Sequence, residues 1–119
     1  MIISRFTKND WLQVIVQSDN ATNQIESFQS RVTNSELTDF VSCLKGTLQR
    51  FNWIETNYHE DKSAQEAYNQ ADVVRVGSFV TISYISIHRV HLIFRSSTMY
   101  LSIDDLEPLI SSLESLLDS

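Results

Sequence analysis

Cysteine, proline and glycine are scarce in this sequence of 119 residues, which holds one cysteine, one proline and two glycines. The lone Cys43 excludes an internal disulfide, so we expect a reducing, cytoplasmic location. With so little glycine and proline there is no obvious linker or hinge, and we expect one domain over residues 1–119. A signal peptide is also missing, as is any apolar run near the roughly 20 residues that cross a bilayer. We therefore expect no membrane association.

Catalytic and cofactor signatures are lacking as well. The sequence has no glycine-rich phosphate loop, no paired-cysteine zinc pattern and no Gly-x-Ser-x-Gly motif. Cys43 has no signature around it and is interpreted as a structural side chain of a helix. His88 and His91 fall on a predicted strand, where a spacing of three turns them to opposite faces and prevents shared metal binding. We expect no enzymatic activity, no cofactor and no bound metal.

The net charge of the chain is −6, and acidic and basic residues are distributed unevenly along it. Residues 52–72 carry five acids and one lysine, and residues 101–119 carry five acids and no base. Residues 73–100 carry three arginines and no acid. A nucleic-acid-binding protein would need a basic face, so this composition argues against that class. The acidic segments favour a basic protein partner, although acidity of this size also serves solubility alone.

The pattern that is present in abundance is that of β-strands. Residues 73–101 are rich in β-branched and aromatic side chains, which predicts an antiparallel meander with hairpins at Gly77-Ser78 and Ser96-Ser97. The turn near Ser86–Arg89 is weakly signalled, and one long bent strand is the alternative there. Two earlier strands are predicted at Ile2–Phe6 and Trp11–Val16. Gln24–Val32 fits either a helical or a strand spacing, and a third strand is favoured there because two turn-bounded strands precede it.

Alternation within the meander assigns side chains to faces. Val80, Ile82 and Tyr84 share one face of their strand, and Val90, Leu92 and Phe94 share a face of the next. Arg89, His91 and Arg95 are predicted on the opposite, wetter face of that second strand.

Two amphipathic helices are predicted, at about 34–51 and 104–117. Thr33 and Glu36 form a capping box that begins the first, and Asp104 with Glu107 is expected to cap the second. An apolar stripe runs along each helix, so each must cover a sheet face. The predicted fold class is therefore α+β, a single domain in which an antiparallel β-sheet meander is covered by two amphipathic helices.

The candidate binding residues lie in the two acidic segments. Residues 52–72 read as the least regular stretch of the chain, although residues 63–67 could make one or two helical turns. Trp and Tyr within this acidic stretch are typical anchors of protein interfaces. The outer side of the C-terminal helix adds further acids. This hypothesis names Trp53, Glu55, Tyr58, Glu60, Asp61, Glu66, Glu107 and Glu114.

The leading functional hypothesis is a small acidic cytoplasmic protein that inhibits a partner by surface occlusion. Its most specific form is a bacterial immunity protein that neutralises a basic toxin, such as a nuclease domain. A secretion-type chaperone or adaptor, which would usually dimerise and present an apolar groove, is the alternative. An enzyme that uses His59 with Glu60 or Asp61 is the third hypothesis. The oligomeric state stays open.

Overall fold

A computed structural model describes residues 1–17 and 25–118, and it has the predicted α+β fold. The strands are β1 (Ile2–Phe6), β2 (Trp11–Gln17), β3 (Ile25–Arg31), β4 (Asp72–Val76), β5 (Phe79–Tyr84), β6 (Arg89–Phe94) and β7 (Ser97–Ser102). The helices are α1 (Asn34–Asn57), α2 (Lys62–Asn69) and α3 (Leu106–Leu117), and short 3₁₀ turns occupy Ile85–Ile87 and Ile103–Asp105.

The strands form two antiparallel sheets rather than one, in the orders β1-β2-β3 and β4-β5-β6-β7. The predicted meander is confirmed, although its last turn lies at Arg95-Ser96 rather than at Ser96-Ser97, because Ser97 already pairs with Phe94 as the first residue of β7. The 3₁₀ turn Ile85–Ile87 separates β5 from β6, which excludes one long bent strand. The third predicted strand is confirmed as β3, although Gln24 lies outside the described residues. Side chains join β3 to β7: Ser97 Oγ donates to the Gln29 carbonyl at 3.0 Å, and a Glu26 carboxylate oxygen accepts from the Tyr100 N–H at 3.0 Å.

Helix α1 begins as predicted but extends further. The Thr33–Glu36 capping box is present, with both of its hydrogen bonds at 3.1 Å. The helix continues to Asn57 because Ile54, fully buried, extends the apolar stripe by another turn. Asp61 then caps α2 by accepting from the Ala64 N–H at 3.1 Å. Residues 52–72 are therefore more regular than predicted, because α1 extends to Asn57, while the helical turns considered for residues 63–67 are confirmed as α2.

Helix α3 begins differently from the prediction. The 3₁₀ turn Ile103–Asp105 precedes it, and Ser102 caps that turn by accepting from the Asp104 N–H at 3.4 Å. The expected Asp104–Glu107 capping box was wrong, because Asp104 lies inside the turn and α3 starts only at Leu106.

The two sheets and the helices enclose one hydrophobic core. α1 packs on β4 and β5, whereas α3 packs on β1 and against α1. Four phenylalanine rings connect these layers, with centroid separations of 5.7 Å for Phe28–Phe40, 4.5 Å for Phe40–Phe79 and 4.1 Å for Phe79–Phe94. These contacts link β3, α1, β5 and β6 in a single packed column.

Beyond Phe79, strand β5 faces the core with its smaller side chains. Thr81 and Ser83 are 0% and 1% exposed. Thr81 Oγ1 lies 2.6 Å from Thr47 Oγ1 of α1, and Thr47 also donates to the Cys43 carbonyl at 2.7 Å. Small hydroxyl side chains thus form the contact between α1 and this part of β5, and the larger Ile82 and Tyr84 point the other way.

Candidate protein-binding site

An open groove of about 400 Å³ lies between the C-terminal half of α1, the start of β6 and the start of α3. We call it the acidic groove, and its lining residues are Leu48, Phe51, Asn52, Glu55, His88, Ile103, Asp104 and Glu107. Phe51 and Ile103 are buried and Leu48 is half-buried, so these three supply an apolar floor. The polar side chains stand around it.

Three carboxylates line the acidic groove, and all three residues are exposed. Glu55 comes from the last turns of α1, Asp104 from the 3₁₀ turn and Glu107 from the first turn of α3. The extension of α1 beyond Phe51 is what carries Glu55 into the groove. The two acidic segments of the sequence therefore meet at this place in the fold.

His88 is the basic group in the lining of this groove. Its Nε2 lies 2.7 Å from Glu55 Oε1, and its ring centroid lies 5.5 Å from that of Phe51. The residue has a left-handed backbone with φ of 57°, which turns the chain between the 3₁₀ turn and β6. His88 thus contacts one carboxylate oxygen of Glu55, and Asp104 and Glu107 add two further carboxylates to the rim.

The structure brings only part of the predicted set together. Glu55 and Glu107 line the groove, whereas Glu114 pairs with Lys45 at 3.1 Å. Asp61 serves as the cap of α2, and Glu66 is exposed on that helix outside the groove lining.

The remaining predicted residues surround the end of α1. Trp53 is 37% exposed and lies under the Arg50 guanidinium, 5.0 Å from the ring centroid. Tyr58 is half-buried against Tyr68, with centroids 4.2 Å apart, and Glu60 is exposed. None of these three lines the acidic groove.

Sequence reasoning missed two ionisable groove residues, Asp104 and His88. Asp104 was assigned a capping role, and His88 was weighed only as a metal ligand. Neither has a local signal, because each reaches the groove through the packing of the 3₁₀ turn Ile85–Ile87 and of α3 against α1.

Side chains considered for chemistry are placed as follows. Cys43 is fully buried, and burial raises the pKa of its thiol, so the nucleophilic thiolate is disfavoured. His59 is exposed, contacts the Tyr58 ring at 5.0 Å and lies outside the acidic groove. Within residues 1–17 and 25–118, no group of three or more His, Cys, Asp or Glu side chains could hold a metal ion.

Two further observations bear on the classes of function. No helix in the described part of the chain is long and apolar enough to cross a membrane. The sequence matches no protein-family model, and no curated protein or solved structure is significantly similar to it. The physical character of the surfaces is therefore the basis for a functional proposal.

Proposed function

We propose that this protein binds a basic partner protein through the acidic groove and inhibits it by covering its surface. The observation that carries the proposal is the convergence of Glu55, Asp104 and Glu107 around an apolar floor. Lysine and arginine have an apolar stem and a cationic head, so one such side chain fits both parts of the groove. Carboxylates on the rim would also steer a basic partner toward it.

Inhibition by occlusion suits this scaffold because it requires shape and charge rather than reacting groups. The groove is framed by α1 and α3, which pack against each other, so its walls are ordered before a partner arrives. A preorganised surface loses less entropy on binding. The proposed activity is thus steric and electrostatic.

The most specific form of the proposal is an immunity protein in the cytoplasm of a bacterium, directed against a basic toxin such as a nuclease. A nuclease needs a basic surface to hold its phosphate backbone. An acidic protein that docks its carboxylates on that surface competes directly with the nucleic acid, and no contact with the catalytic residues is required.

Charge reversal within the groove tests the proposal. Wild-type protein and the variants Glu55→Lys and Glu107→Lys are used to capture proteins from the native lysate at low and at high salt. We expect one dominant basic protein, weakened roughly tenfold by each variant and by salt. The control is Glu66→Lys, which makes the same change of net charge at an exposed site outside the groove lining.

The captured partner then gives the functional readout. Its activity is assayed with increasing amounts of wild-type protein, and its toxicity is measured in cells that co-express either wild type or Glu107→Lys. Neutralisation by wild type alone supports the immunity form. Equal losses with Glu66→Lys and Glu55→Lys would mean that diffuse acidity, rather than the groove, governs binding, and the proposal would be withdrawn.

A further inference from the structure

The side of β4–β7 that faces away from the helices presents an apolar surface, which we call the outer face. Its central row crosses all four strands in register, and a second row of four and a shorter row of three flank it. The residues are Val73, Ile82, His91 and Tyr100 in the centre, Arg75, Val80, Ile93 and Thr98 on one side, and Tyr84, Arg89 and Ser102 on the other.

Large side chains on this face are exposed to solvent. Val73 is 54% exposed, Tyr100 49% and Tyr84 38%. The His91 and Tyr100 rings stack with centroids 4.2 Å apart and planes 7° apart, which presents a flat aromatic surface. Contiguous exposed apolar surface of this kind marks interaction sites in soluble proteins.

Strand β5 shows that this apolar character is not a by-product of folding. An antiparallel sheet with one wet side normally places apolar side chains inward and polar ones outward. β5 does the reverse beyond Phe79, because Thr81 and Ser83 are buried while Ile82 and Tyr84 point outward. Ile82 and Tyr84 do not pack in the core, so we infer that these two side chains serve binding on the outer side.

The charge of the outer face is opposite to that of the chain. Arg75 and Arg89 point outward here, and the described strands β4–β7 direct no carboxylate to this side. Glu26, at the neighbouring edge of β3, is held by the Tyr100 N–H. An apolar surface bearing two arginines in a chain of net charge −6 is complementary to a partner that is apolar and acidic.

The size of the face favours a short segment over a second copy of the chain. Strands spaced about 4.8 Å apart, with about six residues at roughly 3.4 Å each, give a face near 20 × 20 Å, or about 400 Å². A stable protein pair buries about 800 Å² on each side. Two copies placed face to face would also oppose their own arginines, which is unfavourable.

We propose that the outer face binds an acidic amphipathic segment of another protein. The segment is a helix that lays an apolar stripe on the central row, with Asp or Glu beside the stripe pairing with Arg75 and Arg89. Helix-on-sheet packing of this kind already covers the inner side of β4 and β5, where α1 lies. The inference goes beyond the acidic groove and does not depend on it.

Selection from a library of random peptides tests this proposal, because the method requires no identified partner. A phage-displayed library is selected on the immobilised full chain and counter-selected on the double variant Val73→Ser/Tyr100→Ser. We expect enriched peptides with apolar residues at helical spacing and flanking acids. Their affinity should fall at least tenfold in the double variant and in Arg75→Glu/Arg89→Glu.

Matched variants separate the outer face from the rest of the molecule. Ile3→Ser/Ile25→Ser removes two exposed apolar side chains from the other sheet, so peptide affinity should be unchanged. Glu55→Lys in the acidic groove should also leave it unchanged. Thermal unfolding of each variant verifies that the fold is intact.

Four results would overturn the inference. The first is a failure to enrich any sequence over the counter-selection, and the second is enrichment of basic or wholly polar peptides. The third is a dimer in sedimentation equilibrium that Val73→Ser/Tyr100→Ser dissolves, which would assign the face to a second copy. The fourth is binding of an oligothymidine probe that the same variant abolishes, which would assign it to single-stranded nucleic acid.

Discussion

The outer sides of the two sheets differ in chemistry although both sheets are antiparallel and both cover the same core. On β1–β3 a row of polar residues, Arg5, Gln13 and Gln29, crosses the strands in register, and Arg5 Nε donates to Gln13 Oε1 at 2.8 Å. The neighbouring row on that sheet, Ile3, Ile15 and Ser27, is mixed in character. A polar row thus interrupts the outer side of β1–β3, whereas the central row of β4–β7 is apolar and aromatic across all four strands.

This difference shows that the size of the inward-facing residues of β5 depends on α1, the helix that packs against them. On β2 the alternation is regular, with Leu12, Val14 and Val16 buried. On β5 the close packing of α1 at Thr47 selects a small inner residue, Thr81, so the larger Ile82 takes the outer side. The same constraint does not act on β2, because α1 packs on β4 and β5.

The largest expected effect contrasts the two sides of β5. Phe79 is fully buried between the Phe40 and Phe94 rings, so Phe79→Ala should lower the free energy of unfolding by about 3–5 kcal/mol. Ile82→Ala should cost less than about 1.5 kcal/mol, because its side chain is already partly in water. Urea unfolding of both variants measures the two values. Equal losses would mean that Ile82 is a core residue and that the contrast between the sheets is mistaken.

A second contrast concerns the two glycines, Gly46 and Gly77, which both lie where α1 packs on this sheet. Gly77 has φ of 57°, and an added Cβ would meet the Asp39 carboxylate, so Gly77→Ala should cost roughly 1–3 kcal/mol. This turn sets the register that decides which side of β5 is outward. Gly46 lies in the middle of α1, and its Cβ would stand 3.5 Å from Val74 Cγ1, an ordinary contact. Gly46→Ala should therefore stabilise by about 0.5–1 kcal/mol.

Thermal and urea unfolding of the two alanine variants verify this contrast, with opposite signs expected for the change in stability. A loss in Gly46→Ala would show that α1 lies against β4 too tightly for even a methyl group. In that case the packing of α1 would tolerate even less side-chain volume at the inward-facing positions of β5 than we infer.

Local signals made much of the fold predictable. The Thr33–Glu36 box and the Gly77-Ser78 turn are read from neighbouring residues, and the structure has both. The end of α1 was not predictable, since Glu55 and Asn57 are polar and only the burial of Ile54 under tertiary contacts keeps the helix going. Helix length here depends on packing rather than on sequence near the terminus.

The sites were less predictable than the fold. Alternation revealed that Ile82 and Tyr84 share a face, but a period of two does not say which face is buried. Glu55 and Glu107 were named from charge alone, and their meeting with Asp104 depends on how α3 packs against α1. Proximity between distant segments is a property of the topology, and a single sequence carries no direct record of it.

A smaller expected effect concerns the exposed apolar surface of the two sheets. Removing Val73, Tyr84 and Tyr100 by substitution with serine should shorten retention on a hydrophobic-interaction column, because all three side chains are more than a third exposed on one contiguous face. Ile3→Ser/Ile25→Ser should shift retention less, since it removes two exposed aliphatic side chains, whereas the triple variant removes two exposed aromatic rings and a valine. A larger shift in retention for Ile3→Ser/Ile25→Ser would mean that β1–β3 carries the more hydrophobic surface, which would contradict the proposed contrast.

The smallest expected effect lies at the seam between the sheets. The Glu26 carboxylate accepts from the Tyr100 N–H at 3.0 Å, so Glu26→Ala frees a main-chain donor that water reaches easily, and stability should fall by only about 0.5–1 kcal/mol. The local readout is sharper, because hydrogen exchange at the Tyr100 amide should accelerate. Glu114→Ala, which removes the exposed pair with Lys45, should leave that amide unchanged. An unchanged exchange rate at the Tyr100 amide in Glu26→Ala would mean that the hydrophobic core alone holds the two sheets together. Substitutions on the outer side of one sheet would then not affect the other sheet.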